Sequence, residues 1–340
     1  MNVVETCGLT KVYGRWRVVD GLNMHVRQGD IYGFVGKNGA GKSTVMKMIC
    51  GLVTPTAGSV KLFEKEGNAA NATAATTAGA AAAGAGAASA DGQHAEHGDR
   101  SLASHAEGNP RIGALIEAPG ILPRLSVSDN LMAKALALGI PGARSQCDRV
   151  ISLVGLEAAS SQKARKLSLG MRQRLGIALA LVGSPDLLIL DEPLNGLDAQ
   201  GTRSMRNLII SLNQTLGVTF VISSHVFDQL DRMATRYGVI AQGRLVREAT
   251  AEQVQAECED SLRIRTDNPA LTLALLQEAL PAAAFRAEPD GALVATRYES
   301  PQAVSEALHR TGQTVLELST HRRDLEEYFL NLMDEGERRV

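Results

Sequence analysis

Ile31-Tyr32-Gly33-Phe34-Val35-Gly36-Lys37-Asn38-Gly39-Ala40-Gly41-Lys42-Ser43-Thr44 decides the reading of this chain. Its first five residues are a short apolar run closing on glycine, the composition of a buried parallel strand. Helical composition follows over 44–50, so strand, glycine-rich turn and helix come in that order. The run from Gly36 to Ser43 satisfies G-x-x-x-x-G-K-[ST]. Glycines let backbone N–H groups curl around phosphate oxygens, and a helix starting there adds its positive end. In that geometry Lys42 reaches β- and γ-phosphates and the Ser43 hydroxyl ligates Mg²⁺. Lys37, Asn38, Gly39, Ala40, Gly41 and Thr44 complete the cradle.

Working outward, Leu187-Leu188-Ile189-Leu190-Asp191-Glu192-Pro193 sets two carboxylates at the end of a second buried strand. Asp191 suits Mg²⁺, held directly or through water, and Glu192 suits a general base that polarises water. Pro193 stops the strand and leaves both acids at its rim. An apolar run ending in acids is common by itself; the upstream phosphate loop gives it meaning.

Three further motifs stand in order: Leu167-Ser168-Leu169-Gly170-Met171-Arg172-Gln173-Arg174 before the second strand, Asn195-Gly196-Leu197-Asp198 after Glu192, and Ser223-Ser224-His225 closing a third apolar strand. Over roughly residues 3–250 the set resembles the ATPases of ABC transporters, in detail the drug- and peptide-exporting branch that includes bacitracin and lantibiotic resistance transporters. The fold this implies is an α/β P-loop NTPase with an antiparallel β subdomain and a helical subdomain. The activity it implies is ATP hydrolysis driving a separate transmembrane permease, with ATP and Mg²⁺ as cofactors.

The resemblance also assigns residues. Tyr13 stands where the family stacks an aromatic ring on adenine; a strand-edge tyrosine is the plain alternative. Ser168 and Gly170 face the γ-phosphate bound to a second, homodimeric ATPase subunit, using a helix N-terminus as an anion site. Asp198 contacts that partner and His225 bonds the γ-phosphate. Helices near 119–138 pass the closing motion to the permease.

Two departures stand out. The usual Leu-Ser-Gly-Gly-Gln is Leu-Ser-Leu-Gly-Met here, keeping backbone donors but losing one glycine and the glutamine. Glu117 replaces an expected glutamine, so a carboxylate approaches Mg²⁺ and adds negative charge beside Asp191 and Glu192. A solvated loop glutamate is the alternative.

The rest of the chain bounds the picture. It has 340 residues, 44% hydrophobic and 21% charged, with net charge −2. This suits a globular protein with an appendage and gives no sequence-wide basic field for nucleic acid. No apolar run is long enough to span a bilayer, and the N-terminus lacks a leader pattern. The expected location is therefore cytoplasmic, peripheral on the inner face of the membrane. Cys7, Cys50, Cys147 and Cys258 form no CxxC pair and read as reduced thiols.

Residues 67–90 contain only Gly, Ala, Asn, Thr and Ser. Such a stretch buries too little to offset its ordering entropy, so 66–109 reads as an inserted, largely disordered loop; a lone Ala-rich helix is the alternative. His94, His97 and His105 lie in it and need no metal to explain them. Domain boundaries follow as 1–255 and 256–340. In the second region strand, helix, two strands, helix and strand fit a ferredoxin-like unit, with a terminal helix over 325–333.

A soluble ABC ATPase acting on ribosomes or DNA is the rival of another class. The single pair of phosphate-loop and carboxylate motifs speaks against the two-cassette ribosomal type. The Ala/Gly-rich insert speaks against a heptad coiled coil of the DNA-repair type. A regulatory GTPase lacks its Asn-Lys-x-Asp motif here.

Overall fold

A computed structural model describes residues 1–64, 111–117, 120–258, 261–310, 312–321 and 325–338. The segment expected to be an inserted loop, 66–109, lies outside the described residues. The chain opens with two long strands, β1 (Asn2–Tyr13) and β2 (Trp16–Arg27), then β3 (Ile31–Val35), α1 (Lys42–Ile49) and β4 (Ala57–Glu64). Strands β2, β1 and β4 pair antiparallel as one three-stranded sheet. After β5 (Ile112–Leu115), helices α2 (Val127–Ala137), α3 (Ala143–Leu153) and α4 (Leu169–Leu181) form a helical layer. Then come β6 (Leu187–Asp191), α5 (Ala199–Leu216), β7 (Thr219–Ser224), the single turn α6 (Asp228–Asp231), β8 (Arg236–Ala241), β9 (Arg244–Thr250) and α7 (Ala251–Glu257).

A six-stranded sheet in the order β5-β6-β7-β3-β8-β9 forms the centre; all its pairings are parallel except β8 with β9. Side chains on β6 alternate between its faces. Leu188 and Leu190 join the core on the helical side, while Leu187 and Ile189 join the core beneath the three-stranded sheet. Burial on both faces is why these strands read as continuous apolar runs. One contact forbids a side chain: a Cβ at Gly238 would meet the Tyr32 hydroxyl oxygen at 2.0 Å. That hydroxyl donates to Glu248 Oε1 at 2.8 Å and ties β3 to the sheet edge.

Three of the helix starts that frame the site carry side-chain caps. Ser126 and Asp129 form a capping box on α2, Ser168 accepts from Met171 N at the start of α4, and Asp198 accepts from Gly201 N at the start of α5. Each satisfies a backbone N–H that the helix leaves without a partner.

Beyond α7 lie β10 (Ser261–Thr266), α8 (Pro269–Ala279), β11 (Ala284–Ala287), β12 (Leu293–Thr296), α9 (Pro301–Arg310), β13 (Val315–His321) and α10 (Leu325–Arg338). The four strands pair antiparallel in the order β11-β12-β10-β13, with α8 and α9 enclosing a separate small core around Leu262, Ile264, Leu276, Leu293 and Leu308. This is the split βαββαβ arrangement. Helix α10 leaves that sheet and packs on α6, β8 and β9. Its Tyr328, Phe329 and Met333 complete the large core of the six-stranded sheet. Among the described residues, no helix is long and apolar enough to cross a membrane.

Candidate functional site

Strands β6, β7 and β3 are neighbours running the same way, so their C-terminal ends meet at one sheet edge. Neighbouring strands lie about 4.8 Å apart, which gathers what those ends carry into one crevice. From β3 comes the glycine-rich loop into α1, from β6 come Asp191 and Glu192, and from β7 comes His225.

The loop is shaped by glycines. Gly39 and Gly41 have φ of +83° and +107°, the left-handed region that disfavours side chains. At Gly36 a Cβ would meet Ile240 Cγ2 and the Ile240 carbonyl oxygen, each at 2.6 Å. Lys42 is buried, and its Nζ donates to the Gly36 carbonyl at 2.6 Å and the Lys37 carbonyl at 3.3 Å. The same ammonium lies 3.7 Å from Glu192 Oε1. Burial lowers the pKa of Lys42, and the charges of Glu192 and Asp191 oppose part of that shift. Ser43 and Thr44 follow on the first turn of α1, half-buried, whereas Lys37, Asn38 and Gly39 are exposed.

One hydroxyl ties the Asp191 carboxylate to the Glu192 backbone. Ser223, fully buried, lies directly opposite Asp191 in the β6–β7 register. Its Oγ donates to Asp191 Oδ1 at 2.5 Å and accepts from the Glu192 backbone N–H at 2.9 Å. Glu192 has φ of +50°, a strained conformation for a residue with a side chain. Its Oε2 lies 2.8 Å from His225 Nδ1. Lys42 and His225 thus meet at the Glu192 carboxylate, while Asp191 and the Glu192 N–H are joined by Ser223, a residue to which the sequence motifs give no role of its own. The signal that marks it is register: it is the one hydroxyl facing Asp191 across the ladder.

The remaining candidates stand elsewhere. Ser168 and Asp198 are exposed and act in this chain as the caps of α4 and α5. Gly170 lies beside Leu197, and a Cβ there would sit 3.6 Å from Leu197 Cδ2. Leu169, in place of a glycine, reaches to 3.1 Å of the Cβ position at Gly196. The two motifs therefore touch through the substituted leucine.

Tyr13 ends β1 opposite Trp16, with Lys11 Nζ 4.9 Å from its ring centroid. Trp16 is the more exposed aromatic of this hairpin tip, at 70% against 48% for Tyr13. The tip stands on the loop side, because the carbonyl of nearby Val18 would lie 2.9 Å from a Cβ at Gly41.

Glu117, expected beside the Mg²⁺ ligands, ion-pairs with Lys47 on α1, and its backbone is left-handed at φ +63°. Lys47 follows Ser43 by four residues, so the pair sits one helical turn along the same face. The added negative charge near the acids is neutralised by Lys47. Among the described residues, no cluster of three His, Cys, Asp or Glu could hold a metal by itself. None of the four cysteines forms a disulfide; Cys147 is buried and the others are half-buried.

A family model described as ABC transporter matches residues 19–195. The chain belongs to the ABC transporter ATP-binding family. It is 32% identical over 336 residues to the bacitracin transport ATP-binding protein BcrA of Bacillus licheniformis, covering 98% of both chains. To the lantibiotic transport ATP-binding protein SrtF of Streptococcus pyogenes it is 35% identical over 240 residues, 71% of this chain and 87% of that protein. Its fold matches the ATP-binding cassette MJ0796, solved as a dimer in a post-hydrolysis state with ADP and Pi. That match has a TM-score of 0.55 and 21% identity, covering 73% of this chain and 98% of that one. The fold is accordingly the P-loop ABC ATPase fold. The chain is a nucleotide-binding, ATP-hydrolysing subunit of an ABC transporter.

Proposed function

We propose that this subunit powers export of a peptide antibiotic, drug or lipid-like cargo through a separate transmembrane permease. In this reading it works as a homodimer at the inner face of the membrane. Full-length similarity to a bacitracin transport subunit supports the cargo class, because it extends through the C-terminal unit as well. That full-length match to a transport subunit leaves the ribosome- or DNA-acting alternative without support. The domain reading goes with it: residues 1–255 are the ATPase and 256–340 an accessory unit.

The observation that carries the catalytic reading is the convergence of Lys42, Asp191, Glu192 and His225 on one sheet edge beside a glycine cradle. The cradle fits phosphate: the run from Gly36 leads through Gly41 into the N-terminus of α1, and a Cβ at Gly36 would meet Ile240 at 2.6 Å. Ser43 and Asp191 offer hard oxygen donors suited to Mg²⁺, which is bound by few protein ligands alongside phosphate. When bound, Mg²⁺ neutralises charge developing on the phosphates.

The chain's own groups do the rest. Lys42 turns from the Gly36 carbonyl to the β- and γ-phosphates. Glu192 takes the proton of the attacking water at its carboxylate, and His225, already against Glu192 Oε2, orients it and meets the γ-phosphate. Tyr13 stacks on adenine. Ser168, Gly170 and Asp198 complete the partner's site.

Glu192→Gln tests this reading. It keeps the carboxyl shape but removes the base, so ATP is bound and the dimer stays closed, seen as a lasting mass doubling with MgATP in light scattering. Undiminished phosphate release would remove Glu192 from its role. Purification from membranes identifies the spanning partner, and recovery with ribosomes alone would overturn the transport reading.

A further inference from the structure

We propose that α10 is a built-in strap on the phosphate-binding loop, in which Asp334 is a positioning residue that serves as counter-ion to Lys37 until nucleotide phosphates displace it. The proposal rests on the reading that this loop binds nucleotide. Lys37 Nζ and Asp334 Oδ1 lie 2.9 Å apart although 297 residues separate them in sequence.

The strap has two parts of different strength. Its anchor is aromatic: the Phe329 ring stacks on Phe227 with centroids 5.0 Å apart and planes 9° from parallel, and it tilts against Tyr237 at 5.2 Å. Phe227 follows His225 by two residues, so the anchor grips the segment that carries the histidine. Buried Met333 fixes the next turn of the helix, which aims the adjoining Asp334 at the loop. Aromatic packing of this kind is insensitive to charge.

The ion pair is the releasable part. Both side chains are about half exposed, 46% for Lys37 and 54% for Asp334, so solvent screens the attraction and the pair breaks at little cost. Nucleotide phosphates bring a larger negative charge to the same loop. They compete for Lys37 as a point-charge donor and repel Asp334. By reciprocity, whatever loosens α10 through the four-stranded unit raises nucleotide affinity, and nucleotide loosens the last turn of α10. The two sites are the loop and the βαββαβ unit, and the element with two positions is the end of α10.

The test uses the full chain. Asp334→Asn should bind MgADP about threefold more tightly than the parent at low ionic strength, the scale of an exposed ion pair. The advantage should vanish in about 0.5 M salt, and Asp334→Glu should behave as the parent. In steady state the Asn variant lowers KM for ATP while kcat stays within twofold, a split that general loosening of the fold does not produce. In the parent, MgADP should speed amide exchange around Asp334 and leave Phe329 protected. Equal or weaker MgADP binding by Asp334→Asn at low salt, or exchange around Asp334 indifferent to MgADP, overturns the strap. Lys42→Ala separates the two claims: if it binds MgADP as well as the parent, the nucleotide-site reading falls, and the strap with it.

Discussion

Replacing Ser223 by alanine removes the one hydroxyl that joins the two acids. In the parent it donates to Asp191 Oδ1 at 2.5 Å and accepts from the Glu192 N–H at 2.9 Å, inside a fully buried position. A hydrogen bond to a charged carboxylate contributes about 1.5–3 kcal/mol, and an orphaned buried N–H costs about 1–3 kcal/mol. Asp191 then swings free, and the Glu192 backbone, held at φ +50°, loses its tether. If about 2 kcal/mol of this is realised only in the transition state, turnover falls about 30-fold. Loss of a group that orients a metal ligand has a similar range, about 10–100-fold. Phosphate release is measured against MgATP and then against Mg²⁺ at saturating ATP. Expected are a kcat lower by about 10–100-fold, a higher half-saturating Mg²⁺ and a folded protein. Ser223→Thr, which keeps a hydroxyl, should recover most of the rate. Turnover within twofold of the parent with unchanged Mg²⁺ dependence would refute the role assigned to this hydroxyl.

Further expectations follow from three single residues. Gly238→Ala puts a methyl 2.0 Å from the Tyr32 oxygen, so the variant should lose about 1–3 kcal/mol or more of stability in urea unfolding. Glu117→Gln should keep ATP binding, since the residue is tied to Lys47, yet change turnover through the freed Lys47. Unaltered hydrolysis and transport would leave it a plain loop residue. Burial pushes the Cys50 thiol up to about 12, so it should resist alkylation at pH 8 in the folded state and react in urea. Because its pKa is raised on folding, its stabilising contribution is complete below the unfolded thiol's ordinary value near 9 and is lost as pH climbs toward 12. Unfolding midpoints measured from pH 8 to 11 should fall, and a Cys50→Ala variant should show a shallower decline.

The central layers were legible because their signals are local. Ile31–Val35 and Leu187–Asp191 are apolar runs closing on special residues, and each ends where the motif says it should. The βαββαβ order near the C-terminus could likewise be read from short strands alternating with helices. What escaped reading was long-range. Ser223 matters because of its register opposite Asp191, which no spacing within β7 reveals. Glu117 finds Lys47 across 70 residues, and the resemblance, which carried a glutamine role to that position, has no means of showing this. Residues 325–333 read as a terminal helix, but sequence does not say which apolar surface it covers; Phe329 chose Phe227 and Tyr237.

The two ends of the C-terminal unit meet. Ser261, where β10 begins, pairs with His321, where β13 ends, and just outside them the Tyr328 hydroxyl donates to Glu257 Oε2 at 2.6 Å. The unit is therefore an excursion from the ATPase, leaving after α7 and returning at α10, rather than a tail. A tail can be trimmed, but stopping this chain after β13 would also strip Tyr328, Phe329 and Met333 from the main core. Burying one such aromatic contributes about 2–3 kcal/mol. Excising 261–321 and joining 258 to 325 by a short turn would leave that core covered. Variation at this locus can thus exchange the whole lobe as a cassette, provided that the final helix is kept.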